Sequence, residues 1–124
     1  DRYPNIRVGT LEAGHGWLPV WVSRLEEHTK LCPEALPPLK ETIRSYVTGG
    51  RYFQSIEVSE GAEITQSVIE LLGPDILMFG SDYPHGESWF PVSAETVIGW
   101  NLKPEHLRKL FWDNAVKYYR RYSA

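Results

Sequence analysis

A short, wholly apolar segment is the strongest constraint on the fold of this chain. Residues 76–79 read ILMF and run directly into Gly80, Ser81 and Asp82. An apolar residue at every position is typical of a strand that is covered on both faces, as central strands of parallel sheets are. We therefore predict a buried parallel strand over residues 76–79 that ends just before Asp82.

Two more strands and five helices are predicted along the chain. A buried strand is expected at residues 6–13 (IRVGTLEA) and another strand at residues 53–58 (FQSIEV), since both segments are short and rich in aliphatic and β-branched residues. Periodic apolar residues, caps and proline or glycine breaks predict helices over residues 17–28, 39–46, 59–72, 94–100 and 104–122. Because strands alternate with helices, we expect one α/β domain over residues 1–124, with parallel strands joined by right-handed crossovers.

The packing face of the first helix is predicted from its apolar spacing. Trp17, Trp21, Leu25 and His28 recur at helical intervals, so we expect them to lie on the face that packs against the core. Cys32 follows without a visible base or cation to activate it, and we expect it to be a small buried side chain. The matching stripe of the last helix comprises Leu107, Leu110, Phe111, Ala115, Tyr118 and Tyr122.

Composition and charge limit the partners. Thirteen Lys and Arg against sixteen Asp and Glu give a net charge of −3, which does not favour binding to nucleic acid or to an anionic membrane surface. The single Cys32 excludes an intrachain disulfide, and no targeting signal or membrane span is visible. We therefore expect a cytoplasmic protein with a small-molecule substrate. The chain opens on Asp1 without an initiator Met, so we expect it to be a piece of something longer.

Ligands of parallel α/β folds bind beyond the carboxyl ends of the strands. The polar residues that follow the three predicted strands there are Glu12 and His15, then Glu57 and Glu60, and then Asp82, His85 and Glu87. Asp82 is the strongest candidate because a carboxylate fixed at a strand end can bind a metal or accept a proton. The alternative is an ordinary turn-starting Asp that bonds its own backbone.

Three other residues are weaker candidates for the same site. His15 lies between two glycines, where its side chain could face a substrate or solvent. His85 lies three residues beyond Asp82, so a pocket shared by the two is plausible. Trp89 lies in the loop after Asp82 and could line a pocket.

Three motifs carry a resemblance to a known family. The segment FGSDYPH, a Trp-Phe-Pro loop and the terminal WDNAVKYY resemble the end of the amidohydrolase-related, metal-dependent TIM-barrel family. That family includes decarboxylases of the aminocarboxymuconate-semialdehyde and resorcylate type. Upstream, RVGTLEAGHGWLPVWVSRLEEH is similar to the sixth strand and helix of the family. The resemblance covers nearly the whole chain.

The resemblance implies that the three strands are the sixth, seventh and eighth of a (β/α)₈ barrel, which is incomplete on its own. Asp82 matches an aspartate that binds the metal or assists the metal-bound water, whereas His15 and Glu12 lie where the family often has a strand-six histidine. We predict Asp82 as the metal ligand, Asp82, His85 and His15 as catalytic residues, and Glu12 and Trp89 as substrate contacts.

The remaining ligands of the family lie on strands that this chain does not contain, and catalytic zinc sites normally use three protein ligands. We therefore expect the intact protein to be a hydrolase or decarboxylase that uses zinc or manganese and acts on a small carboxylated or amide-like compound. This chain alone is expected to be metal-free and inactive.

An alternative reading is a non-catalytic half-barrel remnant that serves as an oligomerising module. In either case the edges of the strands near residues 6–13 and 76–79 would be unpaired, and exposed edges recruit partners. We therefore expect a homo-oligomer, or pairing with the N-terminal part of the barrel, rather than a monomer.

Overall fold

A three-stranded parallel sheet lies at the centre of the computed structural model, which describes residues 3–35 and 37–119. Its strands are β1 (Val8–Thr10), β2 (Tyr52–Ser55) and β3 (Leu77–Met78), hydrogen-bonded in the order β1-β2-β3. In the first pairing Gly9 lies opposite Phe53. Because both pairings are parallel, the carboxyl ends of the strands lie along one edge of the sheet, as the predicted α/β fold requires.

The described residues contain six α-helices between and after the strands. They are α1 (Leu18–Leu31), α2 (Ile43–Thr48), α3 (Gly61–Leu72), α4 (Ser93–Ile98), α5 (Pro104–Arg108) and α6 (Asn114–Tyr119). Short 3-10 turns occupy Pro33–Ala35, Val58–Glu60 and Pro74–Ile76, and a π-helical turn occupies Lys109–Asp113. None of the helices in the described ranges is both long and apolar enough to cross a lipid bilayer.

Local sequence signals mark the helix ends. Pro19 lies in the first turn of α1, where its missing N–H costs nothing. Thr42 caps α2 by accepting a hydrogen bond from the backbone N–H of Ser45. Gly73 ends α3 with a φ of 85°, a conformation that glycine adopts readily.

The buried face of α1 differs from the predicted one. Leu18 and Val22 are 2% and 0% exposed, whereas Trp17 and Trp21 are 40% and 54% exposed. Trp17 stays outside the core because its indole N–H donates to two carbonyl oxygens of the preceding turn. The prediction that the indoles face the core is therefore wrong by one position along the helix. Cys32 is also exposed rather than buried, because it lies just past the end of α1.

β1 is shorter and less buried than predicted. It spans three residues, and Val8 is 50% exposed, whereas Phe53 at the centre of β2 has no exposed surface. The physical reason is its place in the sheet, because within the described residues β1 pairs with β2 alone. The predicted buried strand over residues 6–13 is therefore an edge strand with an open side.

The predicted last helix is interrupted in its middle. α5 and α6 are separated by the π-helical turn, in which the backbone hydrogen bonds reach one residue further than in an α-helix. Leu110 and Asn114 both face inward, with 2% and 0% of their surface exposed. Tyr122, the last residue of the predicted apolar stripe, lies outside the described residues.

Polar contacts join this final helical segment to the start of β3. Asn114 donates its side-chain N–H groups to two carbonyl oxygens of segment 74–77, at 2.7 and 2.8 Å. Lys109 and Lys117 bind the two carboxylate oxygens of Asp75 at 2.6 and 3.0 Å. We refer to Asp75, Lys109, Asn114 and Lys117 as the helix lock.

Candidate functional site

A cavity of about 370 Å³ opens at the carboxyl ends of the strands. Its apolar lining includes Leu11, Ile56, Met78, Phe79, Trp89, Ala115 and Tyr119. Its acidic lining consists of Glu12, Glu57, Asp82 and Glu87. Within residues 3–35 and 37–119, no Lys or Arg is part of this lining. The site therefore combines apolar walls with an excess of negative charge.

Asp82 is held in a tight turn beyond β3. Its φ of 57° lies in the left-handed region, which Asp tolerates better than most residues because its short side chain bonds locally. The Asp82 Oδ1 lies 2.9 Å from the His85 Nδ1, and the backbone N–H of His85 donates to the Asp82 carbonyl oxygen. The side chains of Asp82 and His85 are 23% and 52% exposed. The two predicted residues therefore form a pair that solvent and small molecules can reach.

Glu12 lies beside this pair, after β1. Its φ is 55°, and its backbone N–H donates to the Ser55 Oγ on β2 at 3.3 Å. One ligand atom each from Glu12, Asp82 and His85 lies within 4.8 Å of the others. The structure thus brings together three of the residues that the sequence singled out, one from the first strand end and two from the third.

Glu57 is a further acidic residue at the same edge of the sheet. It follows β2 and lines the cavity. Partial burial raises the pKa of Glu57, and the negative charges of Asp82, Glu60 and Glu12 raise it further. The sequence placed Glu57 after the second strand but gave no reason to prefer it. Its position in the sequence could have identified Glu57 as a site residue, because with Glu57 included each of the three strands is followed by a carboxylate.

His15 has a different environment from the one predicted. Its side chain is fully buried, with Nε2 2.9 Å from the Thr65 Oγ1 and Nδ1 against the Glu60 carboxylate. Burial lowers the pKa of His15, and the charge of Glu60 opposes that shift. His15 therefore faces neither solvent nor the cavity, because Glu60 and Thr65 hold its ring inside the fold. Its predicted catalytic role stays a prediction.

Trp89 lies in the cavity wall, as its place in the loop after Asp82 suggested. It is 45% exposed, and its indole is part of the lining together with Glu87. The neighbouring rings of Tyr83 and Phe90 contact each other with their centroids 4.6 Å apart. The loop over residues 81–90 therefore supplies both acidic and aromatic surface to the cavity, and contact between Trp89 and a substrate stays a prediction.

The Glu12, Asp82 and His85 side chains suit a divalent ion by donor type and spacing. Carboxylate and imidazole are donors that zinc and manganese accept. At metal–ligand distances of about 2.1 Å, neighbouring ligand atoms lie roughly 3 Å apart. The separation of 2.9 Å between Asp82 and His85 matches this value. Glu12 is exposed, so its side chain can turn to shorten the remaining separations.

Solved structures share the fold of this chain. The 5-carboxyvanillate decarboxylase of Sphingomonas paucimobilis has a TM-score of 0.79 at 20% identity, over 97% of this chain and 35% of its own. The 5-carboxyvanillate decarboxylase of Novosphingobium aromaticivorans, complexed with manganese and 4-hydroxy-3-methoxy-5-nitrobenzoic acid, has the same TM-score and identity, over 97% and 34%. An amidohydrolase from Mycobacterium avium subsp. paratuberculosis has a TM-score of 0.75 at 23% identity, over 94% and 28%.

These comparisons confirm the predicted fold class, a part of a (β/α)₈ barrel built from three βα units. The chain spans about a third of the length of the two decarboxylases. No curated protein sequence shows significant similarity to it. The family model described as amidohydrolase matches residues 1–121, which is nearly the whole sequence. The chain therefore belongs to the amidohydrolase family, as its SDYPH and DNA motifs had indicated.

Proposed function

We propose that this chain supplies the last three strand ends of the active site in a metal-dependent hydrolase or decarboxylase. Its substrate is a small carboxylated or amide-like compound. The observation that carries the proposal is the convergence of Glu12, Asp82 and His85 at the mouth of the cavity, within 4.8 Å of one another. Carboxylates and an imidazole collected at the carboxyl ends of parallel strands are the arrangement that active sites of such barrels use.

In this proposal Asp82 is a metal ligand or the general base, and Glu12 and His85 complete the set of donors. A divalent ion bound there would act as a Lewis acid and would lower the pKa of a bound water. The manganese in the decarboxylase from Novosphingobium aromaticivorans supports this choice of ion, and zinc suits the same donors. Asp82 alone could not hold an ion, but Glu12 and His85 lie close enough to add two donors, so we propose that this chain binds an ion by itself, in place of the metal-free state expected from the sequence.

The other cavity residues have roles that follow from their chemistry. Glu57 lies at the same edge of the sheet and lines the cavity, so its carboxyl group can give or take a proton near the reacting atoms. Trp89 and the apolar wall orient the substrate and reduce the access of water.

A manganese titration tests the proposal. Free Mn²⁺, followed by electron paramagnetic resonance, should be taken up by the wild-type chain in a saturable way, at one ion per chain. We expect Asp82→Asn to weaken binding at least about tenfold, since even residues that only support metal ligands commonly contribute that much. Glu27→Gln is the matched control, because Glu27 is exposed on α1 away from the cavity.

Equal binding by the wild type and Asp82→Asn would contradict the role of Asp82 as a ligand. If binding stayed equal while turnover of a model ester or carboxylate fell, Asp82 would instead be the general base. Because the chain spans about a third of the decarboxylases it resembles, turnover is expected from the intact barrel rather than from this part of it.

The open edge of β1 supports a second proposal, which concerns assembly. Val8 is 50% and Ile6 58% exposed, and β1 pairs only with β2 in the described ranges. We propose that this edge pairs with the N-terminal part of the barrel or with a second copy of the chain. A non-catalytic, oligomerising module is the competing function. It predicts a stable oligomer that neither binds Mn²⁺ nor turns over substrate, and light scattering measures the assembly directly.

We also propose that the protein works in the cytoplasm. Its single cysteine, Cys32, suits this reducing compartment, in which disulfides are rare.

A further inference from the structure

The turn between β1 and α1 is built around the carboxylate of Glu60. A Cβ atom added to Gly14 would lie 2.7 Å from the Glu60 Oε1. A Cβ atom added to Gly16 would lie 3.3 Å from the same oxygen and 2.6 Å from Ile64. Both glycines therefore leave the space that the carboxylate occupies. The Gly-His-Gly sequence serves the close approach of an acidic side chain that lies more than forty residues away.

Glu60 binds this turn through a single oxygen. Its Oε2 accepts the backbone N–H groups of His15 and Gly16 at 2.6 and 3.1 Å and also lies against the His15 Nδ1. On the opposite side of the ring, the Thr65 hydroxyl donates to the Gly61 carbonyl oxygen, so it accepts from the His15 Nε2. The His15 Nδ1 also accepts the backbone N–H of Glu57 at 3.2 Å, so the buried imidazole links the turn to the segment after β2 and to α3.

The same turn carries Glu12 two residues before Gly14. Segment 12–16 is tied to β2 by the bond from the Glu12 N–H to Ser55 and by the bond from the Gln54 Nε2 to the Gly14 carbonyl oxygen. Two further ties, at His15 and Gly16, end on Glu60. The position of the Glu12 carboxylate thus depends on a turn that is held in part by Glu60.

We propose that Glu60 and His15 form a positioning pair, which fixes the glycine turn after β1 and thereby holds the Glu12 carboxylate beside Asp82 and His85. This inference rests on the proposed metal site. Neither Glu60 nor His15 needs to touch the ion or the substrate in order to act, because the effect passes through the backbone of segment 12–16. Outer residues of this kind orient metal ligands, and their removal commonly weakens metal binding.

Two substitutions at Glu60 separate positioning from charge. Glu60→Ala removes every bond to the turn, and we expect Mn²⁺ binding to weaken about tenfold or more. Glu60→Gln keeps an oxygen that accepts the same backbone N–H groups of His15 and Gly16, so its affinity should stay within about threefold of the wild type. Asn114→Ala is the control for lost stability, since Asn114 is fully buried and belongs to the helix lock rather than to the glycine turn.

A second readout does not depend on metal. Hydrogen–deuterium exchange of residues 11–16 in the metal-free chain should accelerate in Glu60→Ala and stay near the wild-type rate in Glu60→Gln. If the wild type bound no Mn²⁺ while this exchange pattern appeared, the proposed function would fail and the positioning pair would stand. The pair is refuted if Glu60→Ala binds Mn²⁺ as tightly as the wild type, if Glu60→Gln loses as much affinity as Glu60→Ala, or if Asn114→Ala weakens binding equally.

Discussion

Asp75 and Glu57 are acidic residues of intermediate burial at opposite ends of the sheet, and their pKa values move in opposite directions. At the amino end, the hydrogen bond from Lys109 lowers the pKa of Asp75; partial burial opposes that shift and Lys117 adds to it. At the carboxyl end, burial raises the pKa of Glu57, and the charges of Asp82, Glu60 and Glu12 add to the effect. The amino end of the sheet pairs a carboxylate with lysines, whereas the carboxyl end brings several carboxylates together.

The difference separates two uses of polar residues. The helix lock pairs the Asp75 carboxylate with two lysines and the Asn114 amide N–H groups with two carbonyl oxygens, so its contacts hold the final helical segment against β3. The carboxylates of the strand ends repel one another, and such a group costs stability until a cation or a proton joins it. Perturbed acidic groups in a cavity are candidates for function for this reason. Three substitutions test whether the two ends differ in this way.

The largest effect is expected at Asn114. Asn114→Ala leaves two buried carbonyl oxygens of segment 74–77 without their donor, so we expect a loss of about 2–3 kcal/mol in the free energy of unfolding. Urea denaturation followed by circular dichroism measures the change, and Asn5→Ala, at an exposed position, is the control. A loss of stability no larger than that of Asn5→Ala would show that the hydrogen bonds of Asn114 do not stabilise the fold as the comparison requires.

A smaller loss is expected at Asp75. The lowered pKa of Asp75 means that its carboxylate stabilises the fold at pH values above its ordinary pKa of 3.8. This contribution to stability disappears as pH falls through the folded pKa. Asp75→Asn should therefore reduce stability at neutral pH by about 0.5–1 kcal/mol, a value discounted for its exposure. Thermal melts across an acidic to neutral series should show the two proteins converging at the acidic end. A constant difference at every pH would mean that charge is not the cause.

The smallest effect, of opposite sign, is expected at Glu57. The raised pKa of Glu57 means that the folded state favours its neutral form. The contribution of Glu57 to the stability of the fold is therefore fully present at pH values below its ordinary pKa of 4.5 and is lost as pH rises through the folded pKa. Glu57→Gln should therefore have a higher free energy of unfolding than the wild type at neutral pH, by up to about 0.5 kcal/mol. Thermal melts should show that this gain disappears in acid. Glu27→Gln, at an exposed position on α1, should show no such gain. If Glu57→Gln were less stable than the wild type at neutral pH, the charged form of Glu57 would stabilise the fold as that of Asp75 does, and the proposed difference between the two ends of the sheet would be wrong.

The sequence predicted the order of elements and much of the candidate site for one physical reason. Apolar runs identify strands, and the carboxyl ends of parallel strands meet at one edge. Asp82 and His85 could be placed together because they are three residues apart, and Glu12 could be placed near them once the first and third strands shared a sheet. Local patterns and one rule of topology place these residues, whereas the metal-binding role predicted for Asp82 rests on the family resemblance.

Long-range contacts account for the errors. The two glycines around His15 favoured a side chain that faces a substrate or solvent, but they make room for Glu60, which no local pattern relates to them. The indoles of Trp17 and Trp21 outweighed the smaller Leu18 and Val22 in the apolar pattern, and the core takes the smaller pair. Periodicity states which residues share a face; it does not state which of two adjacent faces meets the core.

The π-helical turn at Lys109–Asp113 has a consequence for comparing this chain with its relatives. Such a turn is equivalent to an α-helix with one inserted residue, and each residue rotates a helix by about 100°. Leu110 and Asn114 face the core, whereas Ala115 and Tyr119, which follow the π-helical turn, line the cavity. An alignment with a relative whose final helix is regular should therefore open a one-residue gap within 109–113. A gap placed outside that segment would equate core positions of one protein with cavity positions of the other.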